Sequence, residues 1–536
     1  MDIKTLHEVA DRVFSNRGSL TSLWQELADN FYPERADFTS TRYLGEDFAE
    51  NLTTSYPILV RRDLGNSLQS ILRPTEKTWF HLSTIDSERL GGEARQWLQF
   101  AERLQRNAMY DSRTMFNRAL READHDFATF GQCVISVELN RNADGLLYRT
   151  WHLRDVAWTE TEEGKVGSVF RRWKPKLYDL IRIFGRDRLH PDYVKRFEKD
   201  PFDEAKLMHM VVDSELLDDP SPHPFTSVFY DEDHSQVVEK RGSFSKIYVI
   251  PRWQTVSGSQ YAFSPATVAA LPDARLLQAM TYTLLEAGEK SVNPPLVAVQ
   301  EAIRSDVGLY AGGVTWVDSA YDERLGEVLR PISQDYTKIP FGVEIARDVR
   351  MQLAEAFFLN KLALPQRAPE MTAYEVGQRI QQYIREALPL FEPMETEYNA
   401  AICEETFDVM LRAGAFGSPA DVPAELRGQD LSFKFKSPLH DAIEMEQATR
   451  YMEGQNYIAL TLQMDPSAAH MLDTKKALRD VLRAVQVPEK WMRSEDEVAS
   501  RVAEDEAKVQ AAQQAALTQQ SAETAKTMAE TQGFVQ

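Results

Sequence analysis

The sequence predicts a mainly helical α+β protein. Apolar residues recur at helical spacing in three stretches before residue 131, whereas between residues 133 and 252 β-branched and apolar runs alternate with short helical and acidic segments. Long helical patterns return from residue 264 and flank a stretch that is marked by Pro and Gly. With 536 residues, of which 43% are hydrophobic, the chain can bury a large core.

Charge and cysteine content exclude several classes of protein. The chain has 61 Lys and Arg against 82 Asp and Glu, and its net charge of −21 disfavours broad nucleic-acid binding through a basic face. Two distant cysteines, Cys133 and Cys403, support neither a disulfide framework nor a multi-cysteine zinc site. Charged residues at positions 1–8, and no apolar run of about 18 residues, predict a soluble protein without signal peptide or membrane span.

The first half of the chain is predicted to combine helices with a hairpin. Helical spacing predicts two helices over residues 6–31, a third over 56–72 and two more over 92–130, and residues 78–82 read as a short strand. Residues 133–139 and 146–151, with a turn at 142–145, predict a β-hairpin. The turn also mimics the start of a calcium loop, but Trp151 stands where a bidentate Glu is required.

Two long helices are predicted around a small β-rich insert. Ser264 and Pro265 form a helix start, and the pattern continues to about Lys290. The insert, roughly residues 291–340, is followed by a helical pattern from residue 343 to 360 and by a loop that two prolines stiffen.

The remaining sequence is predicted to be largely helical. A capping box at residues 371–375 begins a long helix to about Leu411, with kinks expected at Pro389 and Pro393, and residues 431–435 are extended. The tail beyond Val509 is rich in Ala and Gln. Three residues spaced seven apart, Val502, Val509 and Ala516, allow either a bundle with neighbouring copies or a frayed helix.

No motif of a catalytic or metal site is present in the sequence. It has no phosphate-binding G-x-x-x-x-G-K-[ST], no H-E-x-x-H and no G-x-S-x-G, and its ten histidines lack metal-ligand spacing. His125 between Asp124 and Asp126 is the nearest approach to a cluster, and we interpret it as a structural part of a helix surface. The sequence therefore predicts neither an enzyme nor a metal or cofactor site.

Four short segments are similar to features of one known family. They are a proline-initiated T-W segment after a helix, a helix–glycine–strand junction, the approach to a long helix and a capped helix start: residues 73–82, 130–137, 259–265 and 371–375. Their order and spacing over residues 5–415 resemble the portal, or head-to-tail connector, proteins of tailed bacteriophages, and within them the short-tailed, T7-like branch.

The resemblance implies a portal fold with a wing, a two-helix stem, a small β-rich clip and a C-terminal helical crown. In chain order its parts are the N-terminal wing (1–263), stem helix 1 (264–290), the clip (291–341), stem helix 2 (342–360), the channel loop (361–370), the long wing helix (371–430) and the crown and tail (431–536).

The resemblance also implies a structural role. Family members form a ring of twelve at one capsid vertex, and the genome is packaged and ejected through the central channel. The implied partners are further copies of the chain, the terminase packaging motor, tail adaptor proteins, major capsid and scaffolding proteins, and double-stranded DNA, with no membrane. The implied location is the virion, and the host cytoplasm during assembly.

Two other functions stay open from the sequence. A capsid or tail adaptor without a DNA channel shares the acidity and the missing motifs, and a DNA-processing enzyme with an unfamiliar site is a more distant alternative. Within the portal interpretation, Lys361, Gln366 and Arg367 are the candidate DNA-contacting residues of the channel loop. The alternative is an ordinary surface loop with solvated cations.

Overall fold

The computed structural model describes residues 1–41, 52–75, 78–84, 90–298, 329–331, 339–362 and 393–435, with single residues and short fragments elsewhere. Within these residues helices and antiparallel sheets are mixed, which confirms the predicted class. The helices are α1 (Ile3–Asn16), α2 (Gly18–Phe31), α3 (Tyr56–Leu72), α4 (Gly92–Met109), α5 (Phe116–Phe130), α6 (Leu177–Phe184), α7 (Pro191–Lys199), α8 (Pro265–Val292), α9 (Ile339–Ala356), α10 (Leu359–Leu362) and α11 (Ala401–Arg412). The strands are β1 (Phe80–Thr84), β2 (Val134–Leu139), β3 (Leu146–Trp151), β4 (Val156–Glu160), β5 (Val166–Trp173), β6 (Leu207–Asp213), β7 (Phe225–Asp231), β8 (Gln236–Ser243), β9 (Tyr248–Val249), β10 (Leu296–Ala298), β11 (Leu329–Pro331) and β12 (Leu431–Phe435).

The chain divides into two compact units. The first, which we call the body unit, comprises Met1–Ser83, Gln99–Asp421 and Leu431–Ser437. The second comprises Thr84–Leu98, Val422–Asp430 and Pro438–Gln536. In the second unit, the Glu425 carboxylate accepts a hydrogen bond from the backbone N–H of Gly91 at 2.8 Å.

A five-stranded antiparallel sheet, in the order β4-β5-β6-β7-β8, forms one core of the body unit. Helix α1 buries Leu6, Ala10 and Phe14 against sheet residues such as Phe170 and Met210. The spacing of these three residues places them on one helix face, as the sequence pattern predicted. A second apolar cluster packs α6 and α7 against the sheet.

The predicted hairpin is present as β2 and β3, which pair from Val134 with Trp151 to Leu139 with Leu146. Strand β9 completes a three-stranded sheet on the other side of β2. Helix α5 packs on this hairpin, where the Thr150 hydroxyl donates to the Ala119 carbonyl at 2.5 Å. Most of α5 from Ala119 onward is buried, so this helix lies at the centre of the body unit.

Helices α8 and α9 pack together and flank the small insert, in which β10 pairs antiparallel with β11. Helix α9 occupies Ile339–Ala356, so the predicted range of 343 to 360 was wrong at both ends. The helix starts earlier because proline is compatible with a first helical turn, where Pro340 stands. It stops earlier because Phe358 adopts a positive φ of 57°, after which the short α10 begins.

The long helix predicted from 371 lies outside the described residues as far as 392. Its last part is present as a π-helical stretch, Glu395–Ala400, that continues into α11. The extended segment 431–435 is confirmed as β12, which pairs with β1 and brings Phe433 within 5.9 Å of the Phe80 ring. Of the spaced tail residues, Val502 and Val509 lie in helical fragments, and Ala516 lies outside the described residues.

Candidate functional site: helices α8 and α9 and their root

The two motifs at residues 130–137 and 259–265 meet in the body unit. Gly131, with φ +73°, follows α5, and a Cβ at this position would lie 2.1 Å from the backbone carbon of Phe263. Only glycine permits both this conformation and this approach. The segment that leads into α8 therefore crosses directly over the end of α5, and we call this crossing the root.

Hydrogen bonds hold the start of α8 to the end of α5. The Ser264 hydroxyl donates to the Ala128 carbonyl at 2.7 Å, and the Thr267 hydroxyl donates to the Thr129 carbonyl at 2.8 Å. The Gln132 side chain accepts from the backbone N–H of Ala262 at 2.8 Å. All of these groups are buried, so each bond also satisfies a polar atom that has lost water.

A second attachment lies further along α8. The side-chain amide of Gln278 accepts from the N–H groups of Thr53 and Thr54 at 2.8 and 3.0 Å and donates to the Thr54 carbonyl at 3.0 Å. Tyr56 then reaches α9, where its hydroxyl donates to the Arg350 carbonyl at 3.0 Å. The chain around residues 53–56 thus binds both helices to the body unit.

Both helices expose large apolar side chains along their length. Tyr282 is 61% exposed and Phe341 is 66% exposed, and the buried residues of α8 end at Leu277. The exposed set is Val268, Leu276, Tyr282, Leu285 and Val292 on α8, and Phe341, Val343 and Met351 on α9. Many large apolar side chains exposed along two packed helices are typical of an assembly contact.

The exposed charges of α9 are sorted by sign. The buried line of this helix is Ala346, Val349 and Leu353. At 100° per residue, Arg347 and Arg350 lie on one side of that line and Asp348 and Glu355 on the other. We call these two sides the basic flank and the acidic flank.

A buried ionic network lies in the body unit where α3, α5 and the π-helical stretch meet. Arg73 donates to Asp124 and, at 2.7 Å, to the side-chain oxygen of Asn399, and the Tyr398 hydroxyl donates to Asp124 at 2.9 Å. Burial lowers the pKa of Arg73, but Asp124 more than offsets this and holds that pKa above its usual value. The pair is therefore ionic and fixes three segments that are distant in sequence.

The interpretation of residues 124–126 as a helix surface was wrong. Asp124 and Asp126 are each 1% exposed, and Arg35 binds Asp126 through two bonds of 3.1 and 2.7 Å. His125 lies against Arg61, and burial, followed by Arg61, lowers its pKa to about 4. The three side chains join α5 to Arg35, Arg61 and Arg73.

The predicted channel-loop residues lie at the edge of the described chain. Lys361 belongs to the short helix α10, so the segment predicted as a loop from 361 begins with helical backbone. Gln366 and Arg367 lie outside the described residues. Their role stays a prediction.

One cluster with ligand-type side chains was missed from the sequence. His7, Asp11 and Glu232 bring one ligand atom each within 4.8 Å of one another. Asp11 already binds Arg172 at 2.8 Å, and His7 faces both carboxylates at 3.6 and 3.5 Å. The group is thus accounted for as an ion-pair network that fastens α1 to the sheet. Its spacing is visible only within α1, as His7 and Asp11 one turn apart.

A rooted helix pair whose exposed apolar side chains no described residue covers is typical of a subunit of a larger assembly. The sequence model of the family described as "Bacteriophage head to tail connecting protein" matches residues 3–492. The chain therefore belongs to the bacteriophage head-to-tail connecting protein family.

Two relatives match over nearly the whole chain. A "Probable portal protein" of Bordetella phage BPP-1 is 24% identical over 526 residues, covering 95% of this chain and 92% of the relative. A "Portal protein" of Salmonella phage epsilon15 is 22% identical over 540 residues, covering 97% and 94%. These matches confirm the predicted family and a structural, non-enzymatic role at the head–tail junction of the phage particle.

Two solved structures have a weak overall similarity to this chain. A chain from the virion of a native gene transfer agent particle has a TM-score of 0.34 and 9% identity, and one from the neck of an empty particle has 0.33 and 11%. Each match covers 80% of this chain and 93% of the other. At these TM-scores the matches carry no argument. Among the described helices, none has both the length and the apolar character to cross a membrane.

Proposed function

We propose that the chain forms a ring of twelve at one capsid vertex and that the phage genome is packaged and ejected through the central channel of this ring. The observation that carries the proposal is the apolar surface of α8 and α9, which no described part of the same chain covers. Copies of the chain around a closed ring would cover it, because a repeated head-to-tail contact buries a matching surface on every subunit.

The charge of the chain supports a conduit for DNA rather than a tight binder. Each phosphate contact that a Lys or Arg makes adds affinity and salt dependence, so a channel rich in cations would retain the duplex. A net charge of −21 instead favours repulsion of the duplex. Lys361 and Arg367, with Gln366 between them in sequence, are then the residues that touch passing phosphates.

The partners follow from the position of such a ring. The insert that contains β10 and β11 serves as the clip and contacts the terminase motor during packaging and the tail adaptor proteins afterwards. The outer part of the body unit contacts major capsid and scaffolding proteins. The chain assembles in the host cytoplasm and remains in the virion, and the short-tailed, T7-like branch is the one that we propose for it.

The proposal is tested by negative-stain imaging and native mass determination of the purified chain without DNA. We expect rings with a central opening wide enough for a duplex and a mass near twelve times 61.2 kDa. A stable single chain would overturn the ring. A closed disc without an opening would favour the adaptor function.

The channel-loop assignment needs its own experiment. Rings that carry Lys361→Ala and Arg367→Ala should assemble normally but retain less packaged DNA in an in vitro packaging reaction. Lys195→Ala with Lys199→Ala, two exposed positions on α7, provides the matched control. Equal packaging by all three rings would remove these residues from the channel.

A further inference from the structure

We propose that the two flanks of α9 form the contact between neighbouring subunits, so that Arg347 and Arg350 of one copy face Asp348 and Glu355 of the next. The inference deepens the proposed ring and rests on it. It assigns the polarity of the contact, since each copy offers a basic flank to one neighbour and an acidic flank to the other.

The first argument is that three of these four charges have no partner within the described part of the chain. The side chains of Arg347, Asp348 and Glu355 have no hydrogen-bond or ion-pair partner among the described residues, and all three are exposed. Arg350 only approaches an aromatic ring, with its guanidinium 5.8 Å from the centre of Tyr56. By contrast, Arg275 on α8 is held by Glu26 of the body unit.

The second argument is the spacing of like charges. Arg347 and Arg350 are three residues apart on the helix, and Glu344, on the outward face, lies four residues before Asp348. Like charges at these spacings destabilise an isolated helix by a few tenths of a kcal/mol, and a helix that only faced water would gain by alternating them. A single copy thus has two like-charge pairs at these spacings against one opposite-charge pair, Glu344 with Arg347, and a surface of opposite sign would improve both flanks.

The third argument concerns symmetry. If only one flank took part in the contact, a two-fold axis would bring the same flank of both copies together and place like charges face to face. A head-to-tail contact pairs the basic flank with the acidic one, and this kind of contact closes into a ring. Each flank also carries an exposed apolar group, Val343 on the basic side and Phe341 on the acidic side, which supplies area to bury.

The test reverses one flank at a time in the full chain. Variant A carries Arg347→Glu and Arg350→Glu, so both of its flanks are acidic. Variant B carries Asp348→Arg and Glu355→Arg, so both are basic. Because like charges across an interface cost several kcal/mol, each variant alone should lower the ring fraction in native mass spectra by more than about tenfold.

Two rescues identify the contact. An equimolar mixture of A and B should restore rings, since the two variants alternate around a ring of even number. The chain with all four substitutions should also form rings, because its flanks are again complementary. A control with Lys195→Glu and Lys199→Glu on α7 changes the charge by the same amount as A and should assemble like the unaltered chain.

The outcomes separate this inference from the function on which it rests. If the unaltered chain forms rings and A and B do so equally well, the flank contact is wrong while the ring stands. If A and B fail but neither rescue works, the flanks do not face each other. If the unaltered chain forms no ring, both the proposed function and this inference fail. Melting temperatures of A and B close to that of the unaltered chain show that both variants are folded.

Discussion

The root and the outer part of helices α8 and α9 differ in how their polar and apolar groups are covered. At the root, Ser264, Thr267 and Gln132 are buried, and their bonds run to backbone groups of the same chain. On the outer part, Tyr282 and Phe341 are more than half exposed. The same two helices thus pass from a region that the chain completes by itself to one that, in the proposed ring, a second copy completes.

This difference separates folding from assembly. Substitutions at the root or in the body unit should act on the stability of each chain, whereas substitutions on the outer stem should act on the ring. The following predictions test this separation, in order of expected effect.

The largest effect is expected for Arg73→Met in the body unit. The substitution leaves the Asp124 carboxylate buried without its cation, which costs about 3–5 kcal/mol of folding free energy. The measurement is the midpoint of chemical unfolding. Arg347→Met on the exposed basic flank is the control. It should change the free energy of unfolding obtained from that midpoint by less than about 0.5 kcal/mol. Similar effects at both positions would contradict the separation.

A pair of substitutions on α9 gives the next largest effect. Leu353 is fully buried, so Leu353→Ala should destabilise the chain by about 2–5 kcal/mol. Met351, two residues earlier, is 54% exposed, and Met351→Ala should leave unfolding unchanged while it lowers the ring fraction. Chemical unfolding and native mass spectra of both variants show whether each substitution affects folding or ring formation. A loss of stability in Met351→Ala would show that Met351 is already covered within its own chain.

Glu405 on α11 should make a pH-dependent contribution to the stability of the body unit. Burial raises the pKa of this carboxyl to about 7 despite nearby groups of Ser245 and Ile247 that lower it; Asp408 raises it further and Arg412 lowers it. The folded state therefore keeps a proton on Glu405 that the unfolded state releases above pH 4.5, so the contribution of this group to stability falls as the pH rises from about 4.5 to 7. The lowered pKa of His125 acts in the opposite direction over much of this range, so the effect of Glu405 is measured with a substitution.

Glu405→Gln removes this titration. The free energy of unfolding of the variant, relative to that of the unaltered chain, should therefore increase by up to about 3 kcal/mol between those pH values. Unfolding midpoints at several pH values measure the difference. A constant difference would show that Glu405 is ionised in the fold.

The smallest effect is expected at the second attachment of the stem. Gln278→Ala removes the bonds to Thr53 and Thr54 and should cost about 1 kcal/mol, with increased hydrogen exchange of those two amides. Gln352→Ala, on the exposed side of α9, is the matched control and should alter neither quantity. Unchanged exchange at Thr53 would mean that the segment is held by other contacts.

Local patterns carried most of the fold prediction. The start of α8 followed from Ser264 and Pro265, and Ser264 indeed accepts from the Thr267 N–H at 3.4 Å. The hairpin followed from its turn residues. The end of α9 could not be found in this way, because the positive φ falls on Phe358 rather than on a glycine that would have marked it.

The candidate site depended on contacts between distant segments. Asp124 and Arg73 are 51 residues apart, and Asp126 and Arg35 are 91 apart, so no local spacing shows the pairs. More than half of the residues of α5 are polar or charged, so nothing in its sequence marks Asp124 and Asp126 as buried. A buried charge requires a partner, but here the burial is visible only in the structure. The sorted charges of α9 were visible in the sequence once its buried line was known.

The most direct test of the central claim is a disulfide experiment on rings of the full chain with Arg347→Cys and Asp348→Cys. Adjacent residues on a helix point apart, so a bond between these positions has to join two copies. Native Cys133 and Cys403 are buried. Mild oxidation should give a ladder of covalent multiples of 61.2 kDa on a non-reducing gel, and either single substitution should give none. A double variant that forms rings but remains a single covalent chain would contradict the flank-to-flank contact.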